Sequence, residues 1–285
     1  YNRRVTDHCT LSHAELSAIR KASKKLGDWR LENCTIYVTL EPCNHYGKTP
    51  PCTDAIIENK ISKVVIGSRD PNPLVSGAGV KRLRENGIEV VEDLLRDECD
   101  ALNPVFFHYI TTGMPYVVMK YAMSADGKIA CYTGESKWIT GEAARRHVHS
   151  LRGCYSAIMA GIGTVLADDP MLNCRMDGAH QPVRVIVDSK LRIPLESSII
   201  KTAGEYKTII ACALADERKK AEIERSGAEV LCLPETEEKE AGECPKVDLF
   251  RLMQLLGERK IDSCLVEGGG ILHEALLESG LVNHV

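Results

Sequence analysis

At 285 residues, 44% of them hydrophobic, the chain is long enough for about two domains with cores of their own. A formal net charge of −4 and an isoelectric point near 6.2 argue against any general attraction to nucleic acid. The twelve cysteines are scattered, with no signal peptide or long apolar span. Reduced thiols in a cytoplasmic compartment, with no membrane partner, are therefore expected over a disulfide framework.

Taken in chain order, Ala14 to Leu26 predicts a helix with Leu16, Ile19, Ala22 and Leu26 on its apolar face. Cys34 to Leu40 predicts a strand rich in β-branched residues, and Cys52 to Asn59 a second helix after the loop Glu41 to Pro51. Lys63 to Ser68 (strand), Gly77 to Asn86 (helix) and Ile88 to Val91 (strand) continue the alternation, and Leu94 to Thr112 predicts one connecting helix. Gly113-Met-Pro115 breaks the pattern, which sets domains of residues 1–112 and 113–285. Beyond it, strands are predicted at Tyr116–Met123, Ala157–Ala160, Val183–Asp188, Thr208–Cys212, Glu229–Leu233 and Ser263–Val266. Helices fit Glu142–Arg152, Asp216–Ser226, Leu249–Glu258 and Gly270–Ser279, and Glu235 to Glu243 is an acidic, solvated loop. Strands alternating with helices predict two α/β domains with mostly parallel sheets. The start at Tyr1 and the short apolar run Leu281 to Val285, which resembles the beginning of a strand, predict a piece of a longer protein.

The chemistry concentrates at His13-Ala14-Glu15, Pro42-Cys43 and Cys52. Catalytic zinc takes three protein ligands and keeps a fourth place for water, and His13, Cys43 and Cys52 supply the three. Glu15, two residues from the histidine, is not a ligand. It is placed to shuttle a proton from water, whose pKa zinc lowers to about 7, to a leaving amine. This order is the signature of zinc nucleobase deaminases, except that eight residues separate the cysteines here. Alone, a His-x-Glu is a solvated helix start and a cysteine pair is two small buried side chains; the order on helix, strand and second helix favours the zinc reading. A rival is a closed, structural zinc site with His45 or Cys34 as fourth ligand. Another is a deaminase of cytosine, guanine or a tRNA base fused to an unrelated domain.

The long cysteine spacing in Thr39-Leu-Glu-Pro-Cys-Asn-His-Tyr-Gly-Lys-Thr-Pro-Pro-Cys52, with Arg69-Asp-Pro-Asn-Pro73 and Val75-Ser-Gly-Ala-Gly79, resembles the deaminase half of the bifunctional riboflavin biosynthesis family RibD. Lys120 to Ala130, Ser136-Lys-Trp-Ile-Thr140, Gly161 to Pro170 and Val266-Glu-Gly-Gly-Gly-Ile-Leu-His273 resemble its reductase half. The resemblance covers essentially the whole chain, and the family pattern extends past both of its ends. It implies a cytidine-deaminase-like three-layer α/β/α domain followed by a dihydrofolate-reductase-like α/β domain. It implies zinc-dependent deamination of 2,5-diamino-6-ribosylamino-4(3H)-pyrimidinone 5′-phosphate, then NADPH-dependent reduction of the ribosyl group of the product to ribityl. One zinc per chain, NADPH and a pyrimidine ribotide are the expected ligands; a homo-oligomer stays open.

By the same resemblance, Ala122, Trp138, Thr164, Asp168 and the turn Gly269, Gly270, Ile271, Leu272, His273, Glu274, Ala275 take the cofactor. Ser136, Arg152, Leu172, Arg175 and Glu267 take the substrate. The residues themselves are compatible with this. Gly268-Gly-Gly270 lies between a strand and a helix, where backbone N–H groups favour phosphate, although the motif is not G-x-G-x-x-G. Arg152 and Arg175 can make charge-assisted bonds to a 5′-phosphate.

Overall fold

The computed structural model describes residues 13–46, 50–73, 75–135, 138–235 and 245–285, so the acidic stretch 236–244 and Ser136 lie outside the described residues. The chain divides into two compact units, Tyr1–Thr111 and Thr112–Val285.

The first unit runs α1 (Ala14–Leu26), β1 (Thr35–Leu40), α2 (Cys52–Glu58), β2 (Lys63–Ser68), α3 (Ala78–Glu85), β3 (Glu89–Val91), α4 (Arg96–Ala101) and α5 (Pro104–Thr112). Its three strands pair in parallel in the order β1-β2-β3. Ile19 of α1, Ile56 of α2, and Val80 and Leu83 of α3 pack with Ile36, Val64 and Ile66 of the sheet into one core. The α1 helix stops where Gly27 takes a φ of 71° and donates its N–H to the Ser23 carbonyl at 2.9 Å, a left-handed C-cap that glycine adopts without a Cβ penalty. Leu26, expected on the apolar face, is instead 61% exposed in this last turn. The span 94–112 is two helices rather than one. Pro104 has no N–H to continue the first and is favoured at the opening position of the second.

The second unit runs β4 (Tyr116–Lys120), α6 (Glu142–Cys154), β5 (Ala157–Gly161), α7 (Ile162–Asp168), β6 (Val183–Val187), α8 (Ser198–Lys201), β7 (Thr208–Cys212), α9 (Glu217–Arg225), β8 (Glu229–Cys232), α10 (Leu249–Glu258), β9 (Ser263–Glu267) and α11 (Gly270–Glu278). Six parallel strands form one sheet in the order β4-β9-β5-β6-β7-β8. Along β5 the side chains alternate between two cores: Ala157 and Met159 join Leu252, Leu256 and Leu276, while Ile158 and Ala160 join Ile199 and Ile223. Burial on both faces is what parallel sheets require. The β4 strand ends at Lys120, three residues earlier than the pattern predicted, and the short helices α7 and α8 were not expected. The final run is held at the free edge of β4, where Met119 N–H donates to the His284 carbonyl at 2.9 Å.

Arg184 of β6 is fully buried, and burial pushes its pKa down to about 10. Its guanidinium donates to Thr208 Oγ1 from Nε and Nη2 (3.0 and 2.7 Å), to Thr202 Oγ1 (2.8 Å), and to the carbonyls of Met171 (3.2 Å), Ile199 (2.9 Å) and Tyr206 (3.3 Å). The Tyr206 ring lies 5.1 Å away. One cation therefore ties β7, α8 and the loop before Leu172 to β6. Arg184→Met takes the guanidinium from the Met171 and Ile199 carbonyls and leaves the Thr202 and Thr208 hydroxyls only their own bonds to the Ser198 and Tyr206 carbonyls, at roughly 1–3 kcal/mol for each buried group left without a partner. Chemical denaturation is expected to show a loss of about 3 kcal/mol or more, with Arg184→Lys recovering only part because three donors cannot replace the fork.

Candidate functional site

In the first unit, three elements deliver the donor atoms. His13 is the N-cap of α1, Cys43 lies in the loop after β1, and Cys52 opens α2. Their ligand atoms all lie within 4.8 Å of one another, the group among the described residues that can hold a metal ion. Cys52 Sγ is 3.3 Å from His13 Nδ1, and Cys52 N–H donates to Cys43 Sγ at 3.3 Å. The Cys52 thiol also hydrogen-bonds Cys43, which pulls the Cys43 pKa down to about 6 and pushes that of Cys52 up, a rise that burial reinforces. Two soft thiol donors beside an imidazole fit zinc. Glu15, in the first turn of α1, reaches the Cys52 thiol. Among the described residues, neither His45 nor Cys34 belongs to the group.

The loop between the cysteines is tied at its start by Asn44. Its Oδ1 accepts from Thr53 Oγ1 (2.9 Å) and Arg82 Nη1 (3.0 Å), and its Nδ2 donates to the Ala78 carbonyl (3.4 Å). Arg82 in turn pairs with Asp54 of α2.

In the second unit the expected residues gather where strands β4, β9 and β5 end. Ala122 follows β4, Glu267 ends β9, and Thr164 lies in the first turn of α7, after β5. Gly268 and Gly269 take φ of 76° and 89°, and a Cβ on Gly268 would stand 2.8 Å from Thr164 Oγ1. The turn thus passes close against Thr164 as it enters α11, and the N-terminus of a helix suits a phosphate. Of the residues carried on that turn, Leu272 faces the core while Ile271 is exposed. Glu274 is also exposed and Ala275 half-buried. His273 is half-buried, and burial lowers its pKa, with Lys120 adding to the effect; its ring is 6.3 Å from Tyr121. Trp138 is 71% exposed, with the Arg145 guanidinium 4.3 Å from its ring. Asp168 closes α7 on the surface.

Arg152 and Glu267 form a bidentate pair, Nε to Oε1 at 2.7 Å and Nη2 to Oε2 at 2.9 Å, and Arg152 Nη1 also donates to the Asn173 carbonyl at 3.1 Å. Leu172 is buried at a φ of 48°. Arg175 exposes its side chain, while its N–H donates to His149 Nδ1 at 3.4 Å. That bond places the proton of the neutral ring on Nε2. Burial, then the charges of Arg152 and Arg175, hold the His149 pKa below its usual value. His149 escaped the sequence reading, although its position one helical turn before Arg152 was a usable signal.

The RibD C-terminal domain family matches residues 115–285, and the cytidine and deoxycytidylate deaminase zinc-binding region matches residues 1–68. Riboflavin biosynthesis protein RibD of Actinobacillus pleuropneumoniae is 54% identical over 273 residues, covering 96% of this chain and 69% of that protein. The Escherichia coli protein of the same name is 39% identical, covering 96% of this chain and 73% of that one. A crystal structure of the Thermotoga maritima diaminohydroxyphosphoribosylaminopyrimidine deaminase/5-amino-6-(5-phosphoribosylamino)uracil reductase superposes with a TM-score of 0.76 at 40% identity, covering 94% of this chain and 70% of that one. Acinetobacter baumannii RibD superposes with a TM-score of 0.77 at 37% identity, covering 95% of this chain and 71% of that one. A cytidine-deaminase-like zinc unit followed by a RibD reductase unit, in one chain and in that order, is the arrangement of these relatives, and the chain belongs to the RibD family of bifunctional deaminase/reductases of riboflavin biosynthesis.

Proposed function

We propose that the residues divide the two reactions as follows. His13, Cys43 and Cys52 hold one zinc, and Glu15 moves protons during hydrolysis of the exocyclic amine of 2,5-diamino-6-ribosylamino-4(3H)-pyrimidinone 5′-phosphate. Bound zinc supplies a nucleophilic water at neutral pH. Glu15 would take a proton from that water and pass it to the departing amine nitrogen; the hydroxyl left on carbon would give its proton to the adjacent ring nitrogen, so that ammonia leaves and a carbonyl remains. The observation that carries this reading is the convergence of one imidazole and two thiols within 4.8 Å, with the Glu15 carboxylate at hand.

At the edge where β4, β9 and β5 end, NADPH would supply hydride to the anomeric carbon of the ring-opened ribosylamine. That carbon would become the nitrogen-bearing methylene of the ribityl chain as a proton goes to the nitrogen and the former ring oxygen stays as a hydroxyl. The glycine turn and Thr164 seat a cofactor phosphate, while Ala122, Trp138 and Asp168 border the cofactor. Arg152 and Glu267 brace each other for the sugar, beside Leu172, and Ser136 takes part in binding it. Arg175, whose charge faces solvent, takes the 5′-phosphate. We place the domain boundary at residue 113, the activity in the cytoplasm, and neither nucleic acid nor membrane among the partners. In keeping with the last point, no helix among the described residues is long and apolar enough to cross a membrane.

Cys52→Ser is expected to strip zinc and abolish deamination while reduction of pre-deaminated substrate continues; metal analysis showing stoichiometric zinc in that variant would refute the ligand set. Glu15→Gln is expected to keep zinc and lose about 10²–10⁴-fold in deamination rate, the usual share of a general acid–base group, which steady-state ammonia release measures.

The reductase pocket makes a separable pair of predictions. Gly269→Val forces a β-branched residue to a φ of 89° and is expected to weaken NADPH binding in fluorescence titration. Arg175→Ala is expected to leave NADPH binding intact and to raise the substrate KM, with a loss of about 1.5–3 kcal/mol for a charged hydrogen bond. A weakened NADPH affinity with an unchanged KM would reverse the assignment.

A further inference from the structure

Glu41 is a carboxylate only 3% exposed, two residues before Cys43, in the loop that leaves β1. It continues the sheet for one more bond, its N–H donating to the Ser68 carbonyl at 2.9 Å. Its side chain then turns toward α3. Oε2 accepts from Gly77 N–H at 2.9 Å, and Oε1 accepts from Gly79 and Val80 N–H at 3.1 and 3.3 Å. Gly77 is the N-cap of α3, at a φ of 76°, and offers no side-chain cap of its own. The orphan donors of the first turn are therefore met by a residue more than thirty positions earlier. A carboxylate there also opposes the positive end of the helix.

The contact is close as well as polar. A Cβ on Gly79 would stand 2.3 Å from the Pro42 carbonyl oxygen, so only glycine lets α3 press against the Glu41-Pro42 backbone. On the other side of Cys43, Asn44 Nδ2 reaches the Ala78 carbonyl at 3.4 Å. Cys43 thus sits between two tethers to one helix start.

We infer that Glu41 is a positioning residue for the zinc-ligand loop: its buried carboxylate caps α3 and so holds Cys43 where His13 and Cys52 meet it. Metal retention and the order of the first turn of α3 then favour each other, because coupling between two events is reciprocal. This inference rests on the zinc reading of the site, and its test separates the two.

The zinc-loaded 285-residue chain is mixed with a colorimetric zinc chelator, and metal release is timed in parallel with hydrogen exchange at Gly79 and Val80. Glu41→Gln replaces one acceptor oxygen with a donor facing other donors. It is expected to speed release on the order of tenfold, within the usual range of coupling between sites, and to speed exchange at both amides. Glu41→Asp keeps two acceptors on a shorter arm and is expected to fall between; it carries the test if Glu41→Gln does not fold. Val64→Ala, a core truncation in β2 that removes none of the cap's hydrogen bonds, is expected to lower the melting temperature and leave zinc release close to the parent's, since the Glu41 and Asn44 tethers stay in place. Release and exchange unchanged in both Glu41 variants would overturn the inference, as would Val64→Ala releasing zinc as fast as Glu41→Gln. A parent chain that binds no zinc would overturn the reading of the site itself.

Discussion

Parallel pairing is the constraint from which the rest follows. A parallel strand cannot return by a tight hairpin, so each connection crosses the sheet through a helix and every carboxyl end opens on the same edge. In the first unit that edge carries the loop after β1, with Cys43, and the loop after β2. In the second it carries Ala122, Glu267, the glycine turn and Thr164. The strand order explains why the reductase residues meet there. Strand β9, last in sequence, inserts between β4 and β5, so segments about 145 residues apart in the chain, ending β4 and β9, finish side by side.

The two units manage charge differently. The hydrogen bond between the Cys43 and Cys52 thiols lowers the pKa of the first and raises that of the second. Arg152 and Glu267 cancel one another in a bidentate pair that leaves each side chain 14% and 10% exposed. A buried ion pair of this kind is weak evidence for stability but strong for geometry, because either partner alone would be an uncompensated charge. Arg175 is outside that arrangement, its side chain exposed.

Features written in local pattern were legible in the sequence. The limits of α1, β2, β7 and α10 coincide with the predicted ones, since apolar period, β-branched runs and capping glycine all act within a few residues. The donor types at His13, Cys43 and Cys52 were legible because few chemistries use them in that order. Illegible were the features that join distant residues. Nothing near Glu41 announces that it caps a helix starting at Ala78, and nothing near Arg152 announces Glu267, 115 positions away. The break at Pro104 was legible in principle: the apolar run Val105 to Ile110 masked a residue that cannot extend a helix from behind. Leu26 misled for the converse reason, since a helical period says which side a residue lies on but not where the neighbouring core ends.

The buried cation at Arg184 has a bearing on how this reductase unit can change over generations. Thr202 and Thr208 are there as hydroxyls because a guanidinium points at them, and that guanidinium is tolerable there because they are. Removing any one of the three damages the others' surroundings, whereas replacing all three by apolar groups of matched shape removes the polar cluster whole. Positions 184, 202 and 208 are therefore expected to change together. Lineages should carry the cluster intact or lack it altogether, with few viable intermediates between.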